Sequence, residues 1–330
     1  ENRILAHYGM ELLRSGRSRP GINALLEITS KPPSTLNFRD LGFTIGPHIN
    51  AAGRMESGLR AVELLRSKQG ETERELAQRI QQHNTERREI QDVIFEEAKN
   101  QLNPDSFPFS NVLYSPDWHK GVVGIVASKI VETRYRPTII LTKSGDKLAG
   151  SARSVTDFDL YEALSAVEDH LIQFGGHKYA AGMTLHESQL PHFKKAFEAY
   201  CQKNLSAEQL EPNLFYDAEA HLAQFTDRFY GILRQLDPHG PENPAPIFLL
   251  KNLIDAGQSR AVGTDKKHLK LHLTHQSGGP SIAGIAFNYG HLEAELKNGQ
   301  PFDALVSLTQ NHFRGQTSLE IIAHSLRPSH

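Results

Sequence analysis

Three short stretches hold residues able to grip an anion. In Gly150-Ser151-Ala152-Arg153-Ser154 an extended backbone turns Ser151 and Arg153 to one face, setting a hydroxyl beside a planar guanidinium fork, a pair suited to a phosphate. In Gly175-Gly176-His177-Lys178-Tyr179-Ala180-Ala181-Gly182 the paired glycines remove the Cβ barrier to close approach. The N–H groups of Gly176 and His177 are expected to face a ligand where a helix begins, with the His177 imidazole at the rim. Ala180, Ala181 and Gly182 would let that helix press on a sheet, and packing alone accounts for the same small residues equally well. In Trp118-His119-Lys120-Gly121-Val122-Val123-Gly124-Ile125-Val126-Ala127, two glycines open an apolar helix just after a histidine and a lysine. Its N-terminus is another place for an anion, or its glycines serve helix–sheet packing and Trp118 is core.

Between Trp118 and Arg153 seven basic residues stand against two acidic ones, so the segment can meet phosphates; a solvated basic face is the commoner reason for such a run. Three other clusters are set aside. Asp157-Phe158-Asp159 resembles a metal-binding pair, but Asp159 directly precedes a helical pattern and is assigned as its cap. His268 and His272 are four residues apart on a strand, about 13 Å, too far to share one zinc ion. Gly278-Gly279-Pro280 is a turn without the lysine or helix of a phosphate loop.

Helices and strands must position these residues. Ile4, Leu5, Tyr8, Leu12 and Leu13 recur at helical spacing up to Gly16, and a second helix starts after Pro20. Residues 46–54 (Gly-Pro-His-Ile-Asn-Ala-Ala-Gly-Arg) read as a glycine-punctuated loop. From Glu71 to Gln101 no proline or glycine occurs, which predicts one long connecting helix. Strand and helix then alternate: strands at 111–114, 137–142 and 147–154, helices at 121–132, 161–170 and 189–203, an α/β domain with a mainly buried sheet. After Leu210 the pattern turns to β. Leu269, Leu271 and Leu273 alternate with His268, Lys270, His272 and Thr274, and further alternating runs at 281–287, 302–309 and 318–325 predict a small barrel over about 213–328.

At 330 residues the chain holds two or three domains. No long uncharged apolar run or apolar leader occurs, which argues against a membrane span and a signal peptide. The single Cys201 excludes an internal disulfide or a cysteine zinc site, and a cytoplasmic location is expected. The net charge of −2 gives no global sign of a nucleic-acid partner.

On these motifs the chain resembles the RecJ single-strand-specific exonucleases of the DHH phosphoesterase superfamily. The resemblance rests on residues 46–54 with Ala61-Val62-Glu63-Leu64-Leu65, on 118–127, 150–154 and 175–182, on Leu236-Asp237-Pro238-His239-Gly240 with Asn243-Pro244, and on 302–328. It implies a C-terminal remnant of a DHH catalytic domain at 1–68 and a connecting helix at 69–104. A DHH-associated substrate domain follows at 105–205, and an OB-fold for single-stranded DNA at 206–330. It also implies phosphate binding by Ser151, Arg153, Gly175, Gly176 and His177, a cleft lined by Asn50, Arg54, His119 and Lys120, and a DNA path past Lys270 and His272. Phe287, Tyr289 and Phe313 are candidates for base stacking or for core.

The family's metal ligands, an Asp-x-Asp cluster, an Asp-His-His triplet and a later aspartate, are expected upstream of residue 1, and no Asp-His-His occurs here. The implied whole enzyme is a 5′-to-3′ exonuclease of DNA repair and recombination using manganese or magnesium, with single-strand-binding protein and repair helicases as partners. This chain is expected to bind no metal and to hydrolyse nothing alone, acting by positioning DNA. A non-catalytic binding fragment and a phosphodiesterase of short oligonucleotides are the alternatives. Two departures from the family pattern are His48, where arginine is common, and Pro241-Glu242, where a more glycine-like turn is usual.

Overall fold

The computed structural model describes residues 1–67, 72–240, 242–313 and 316–329, without the side chains of residues 312 and 313. The chain forms two compact units, Tyr8–Asn213, and Leu214–His330 together with Glu1–His7.

The first unit starts with helices α1 (Asn2–Arg14, whose first residues belong to the other unit), α2 (Pro20–Ile28), a short α3 (Phe38–Asp40), α4 (Gly46–Met55), α5 (Gly58–Arg66) and α6 (Thr72–Asn100). The expected loop at 46–54 is therefore a helix. A π turn at Leu41–Ile45 carries the helical path straight into Gly46, Pro47 stands in the first α-helical turn after it, and Ala51 and Ala52 are wholly buried. Glycine and proline here serve packing rather than chain reversal. The long helix α6 is as the periodicity predicts, and it buries Ala77, Ile80, Ile94 and Ala98 along one face.

Next come β1 (Asn111–Tyr114), α7 (Val123–Thr133), β2 (Thr138–Ser144), β3 (Lys147–Arg153), α8 (Leu160–Ser165), β4 (Gln173–His177), β5 (Ala180–Leu185) and α9 (Leu190–Asn204). The strands form one sheet in the order β1-β2-β3-β5-β4, parallel only between β1 and β2. Ile140 and Leu113 pack with Val122, Val126 and Ile130 from the α7 segment on one side. Ile139, Leu141, Leu148 and Ala152 pack with Phe193 and Phe197 of α9 on the other. Asp159 caps α8, its Oδ1 accepting from the N–H groups of Tyr161 and Glu162 at 2.9 and 3.1 Å.

The octet 175–182 departs from expectation. It is the β4–β5 hairpin, and no α-helix starts until Leu190. Gly176 has φ +155°, and a Cβ there would fall 2.3 Å from the Ala180 carbonyl oxygen and 2.5 Å from the Ala181 Cα. The hairpin's own backbone thus demands that glycine, and the small residues after it let two strands lie close.

The second unit contains β6 (Ala218–Glu219), α10 (Asp227–Leu233), β7 (Phe248–Asp255), β8 (Arg260–Val262), β9 (His268–His275), β10 (Ser281–Ala286), α11 (Glu293–Leu296), β11 (Phe302–Phe313) and β12 (Gln316–Pro328). The sheet order is β6-β7-β11-β12-β10-β9-β8, and β7 also pairs with β9, so β7, β11, β12, β10 and β9 close into a five-stranded barrel. Leu250, Leu253, Leu269, Leu271, Leu273, Val306 and Ile321 fill it. Of the sequence features noted, Pro241 and the Phe313 side chain lie outside the described residues.

Candidate nucleic-acid interface

Strand register assembles the anion site. Ser151 pairs with Gly182 and Gly182 with Gly175, while Arg153 pairs with Ala180 and Ala180 with His177. Residues directly opposite in a sheet share a face, as do residues two apart, so Ser151, Gly175, Gly182, Arg153 and His177 all present to one side. Gly176 stands one residue out of phase and belongs to the other face. Arg153 and His177 are two strands apart, about 10 Å between backbones, a span that one phosphate group with its ester oxygens can bridge only through long side chains.

Arg153 Nη1 donates to Ser151 Oγ at 3.1 Å and to its neighbour's carbonyl, Ala152 O, at 2.7 Å. The Ser151 hydroxyl accepts here and keeps its own proton to give to an anion. Burial first, and Arg54 second, push the Arg153 guanidinium below its usual value. Arg153 makes no ion pair with a carboxylate among the described residues. A half-buried cation next to another cation is a place where an added anion would be favourable.

The helix α7 ends against the same pair. A Cβ on Gly124 would lie 2.9 Å from Ser151 Oγ and 3.3 Å from Arg153 Nη2, so the first turn of α7 sits directly over the hydroxyl–guanidinium pair. The helix N-terminus read in the sequence and the strand motif are one place. Arg54 joins them: its Nη1 donates to Gly121 O at 3.0 Å, and a Cβ on Gly121 would meet the Arg54 carbonyl oxygen at 2.2 Å. His119 Nδ1 accepts from the Gly121 N–H at 3.2 Å, tying the turn. A cleft of about 420 Å³ runs from Ser151 across the hairpin, lined by Lys120, Gln173, Gly175, Gly182 and Thr184. His177 is exposed at the hairpin end, its Nδ1 accepting from Tyr179 N–H at 3.3 Å, which leaves Nε2 as an outward donor. Asn50 is exposed on α4, one turn before Arg54.

Register also settles the barrel face. Phe287 follows β10 directly and continues its alternation; Ile285 opposes Lys270 and Ala283 opposes His272, while Arg260 of β8 opposes Lys270 from the other side. Lys270, His272 and Phe287 therefore share the outer face, together with Arg260 and His268, whose ring meets Phe287 edge-on at 5.3 Å. Lys270 and Phe287 are exposed, and His272 is half-buried with an enclosed Nδ1 that finds no hydrogen-bond partner among the described residues. Tyr289 is spent differently. Its ring packs, partly buried, against the barrel core and its hydroxyl donates to His324 O at 3.2 Å, which matches the core alternative for this residue.

An α/β domain followed by a five-stranded barrel with a basic, aromatic outer face defines a two-domain class, and residues 109–203 match the DHHA1 domain and 216–325 the RecJ OB domain. The chain is 36% identical to the single-stranded-DNA-specific exonuclease RecJ of Dickeya dadantii and 34% identical to that of Escherichia coli, over 99% of its own length. It spans 58% of the length of both relatives. The crystal structure of RecJ in complex with Mg2+ from Thermus thermophilus superposes with a TM-score of 0.79 at 27% identity, over 94% of this chain and 46% of that one. The crystal structure of exonuclease RecJ bound to manganese matches at a TM-score of 0.54 and 30% identity, over 63% and 53% of the two chains. The chain is a homologue of the RecJ exonucleases.

Proposed function

We propose that this chain is the DNA-positioning part of a RecJ-like single-stranded-DNA-specific exonuclease, gripping a strand phosphate at Ser151 and Arg153 and guiding the strand along the barrel face. The observation that carries this reading is the half-buried Arg153 guanidinium, which lies beside Arg54 and the α7 N-terminus and has no carboxylate partner among the described residues. Each neighbour has a part. Ser151 donates its free O–H, Arg153 supplies the charged fork, and Arg54 and Lys120 raise the local potential. The His177 Nε2–H borders the far end of the same face. On the barrel, Lys270 and Arg260 meet backbone phosphates while Phe287 offers its ring to a base.

Among the described residues no three histidine, cysteine or carboxylate side chains converge to hold a metal ion. The roles assigned to these residues are binding and orientation. No helix among the described residues is long and apolar enough to cross a membrane. A cytoplasmic setting rests on the single cysteine, and single-strand-binding protein and repair helicases as partners rest on the resemblance to the family.

The test is a binding titration of the 330-residue chain with matched oligothymidines bearing 5′-phosphate or 5′-hydroxyl. A charge-assisted contact contributes about 1.5–3 kcal/mol, so Arg153→Ala is expected to weaken binding of the phosphorylated strand by roughly one to two orders of magnitude. Arg153→Lys should restore only part, because an ammonium cannot make the planar two-pronged contact. An Arg153→Ala chain that binds both strands like the parent would remove the proposed site.

A further inference from the structure

One face of the sheet in the first unit is only half covered. On β2 and β3 it lies under α7: Ile140 packs with Val122, Val126 and Ile130, and the first turn of α7 stands over Ser151, the residue paired with Ile140. On β5 and β4 the same face is open. Register lays its positions out in rows: Arg153 with Ala180 and His177, Ser151 with Gly182 and Gly175, and Ala149 with Thr184 and Gln173. The middle row carries no side chain beyond Ser151, and Gly182 and Gly175 are both exposed.

Neither backbone nor packing requires these two glycines. Gly175 and Gly182 have no positive φ. A Cβ on Gly175 would have nothing within 4 Å, and one on Gly182 would meet only the Gly150 carbonyl oxygen at 3.8 Å, an ordinary contact. Gly176 differs, since the hairpin itself demands it. Glycine within a strand weakens it through entropy and through the side chain it does not pack, so two of them facing each other across β4 and β5 carry a cost that no close packing offsets. What such a pair provides is bare backbone that a flat group can approach closely.

The open face is the floor of the 420 Å³ cleft, a volume usual for a small-molecule site, with Lys120 and Val123 on the α7 side. The floor starts one strand from Ser151, about 5 Å between backbones. A nucleotide carries its base one sugar away from its 5′-phosphate, so a phosphate held by Ser151 and Arg153 leaves the base over Gly182 and Gly175. The floor itself has no charged side chain, which suits a base better than another phosphate. Beside it Gln173 and Thr184 stand directly opposite each other, Gln173 Nε2 lying 3.5 Å from Thr184 Oγ1. That contact is long, and it leaves an amide and a hydroxyl able to donate and accept at a base edge.

We propose that Gly182 and Gly175 form the seat of a nucleobase, that of the nucleotide whose 5′-phosphate Ser151 and Arg153 hold, with Thr184 and Gln173 at its polar edge. This rests on the phosphate reading of the Ser151–Arg153 pair. Every base has a flat face, so such a seat takes any base in turn.

The test titrates the 330-residue chain with a short 5′-phosphorylated oligothymidine, either natural or with a tetrahydrofuran abasic residue as its first nucleotide. The parent should bind the natural strand about tenfold more tightly, a difference of some 1.4 kcal/mol. Gly175→Val places a side chain in open space above the floor. It should leave the urea midpoint unchanged or raise it, because valine favours a strand, and it should remove the preference for the natural strand while the abasic strand binds as it does to the parent. Gly182→Ala should reduce the same preference, and it decides the matter if Gly175→Val fails to fold. Arg153→Ala should weaken both strands. A parent that binds the two strands equally, or glycine variants that keep the parent's preference or lose both strands alike, overturn the base seat. An Arg153→Ala chain that binds like the parent overturns instead the phosphate site on which the seat rests.

Discussion

Substituting Gly124 by alanine separates anion binding from stability. The added Cβ would lie 2.9 Å from Ser151 Oγ, 3.4 Å from Ser151 Cβ and 3.3 Å from Arg153 Nη2. All three are side-chain atoms, so the hydroxyl and the guanidinium move and the backbone stays. Alanine in the first turn of α7 favours the helix by up to about 1 kcal/mol over glycine. Losing the 3.1 Å bond between Arg153 and Ser151 costs about 0.5–1.5 kcal/mol. The two nearly offset, and unfolding stability should stay within about 1 kcal/mol of the parent. Binding has no such offset. Displacing the pair removes at least one charge-assisted contact, about 1.5–3 kcal/mol, so affinity for a 5′-phosphorylated strand should fall at least about tenfold. Gly121→Ala is the contrast, because its Cβ would sit 2.2 Å from the Arg54 carbonyl oxygen and backbone must shift; about 1–3 kcal/mol of stability should go. Urea unfolding and fluorescence-anisotropy titration on both variants provide the readouts. A Gly124→Ala chain that binds like the parent, or one that is more destabilised than Gly121→Ala, contradicts this separation.

Burial pushes the Cys201 thiol far up, so alkylation of the native chain should run roughly 10²-fold slower than in denaturant; comparable rates would mean that α9 is not packed as described. Desolvation lowers the pKa of His324, whose Nε2 lies 2.9 Å from Ser307 Oγ, so the unfolded chain takes up the proton first. That contribution is present above about pH 6.5 and fades as pH falls below it, and His324→Gln should flatten the stability profile between about pH 7 and 5. Lys270→Ala on the barrel should reduce the salt dependence of strand binding by about one counterion, and an unchanged slope would take Lys270 out of the interface.

Most elements are legible in the sequence because periodicity carries them. The leucine alternation of β9 and the uninterrupted run of α6 have few competing interpretations. The octet 175–182 misleads because a row of glycines and alanines has no period, and a tight hairpin and a helix start both ask for small side chains. Residues 46–54 mislead for the opposite reason: glycine and proline look like loop punctuation, while the burial of Ala51 and Ala52 that makes the segment helical depends on α6, which is distant in sequence. Strand β7 escapes notice where Asn252, at φ 53°, and Lys251 interrupt its apolar run. The Ser151–Arg153 pair is readable from i, i+2 spacing alone. Its joining to Gly124 and Arg54 is not, since only sheet order and the approach of α4 to the start of α7 bring them together.

The central claim concerns where the strand phosphate sits. A crystal structure of the 330-residue chain with a short 5′-phosphorylated oligothymidine tests it most directly. The expected result is a phosphate within hydrogen-bonding distance of Ser151 Oγ and the Arg153 guanidinium, beneath the first turn of α7. A phosphate bound elsewhere, with Arg153 still turned to Ser151 and Ala152 alone, would contradict it.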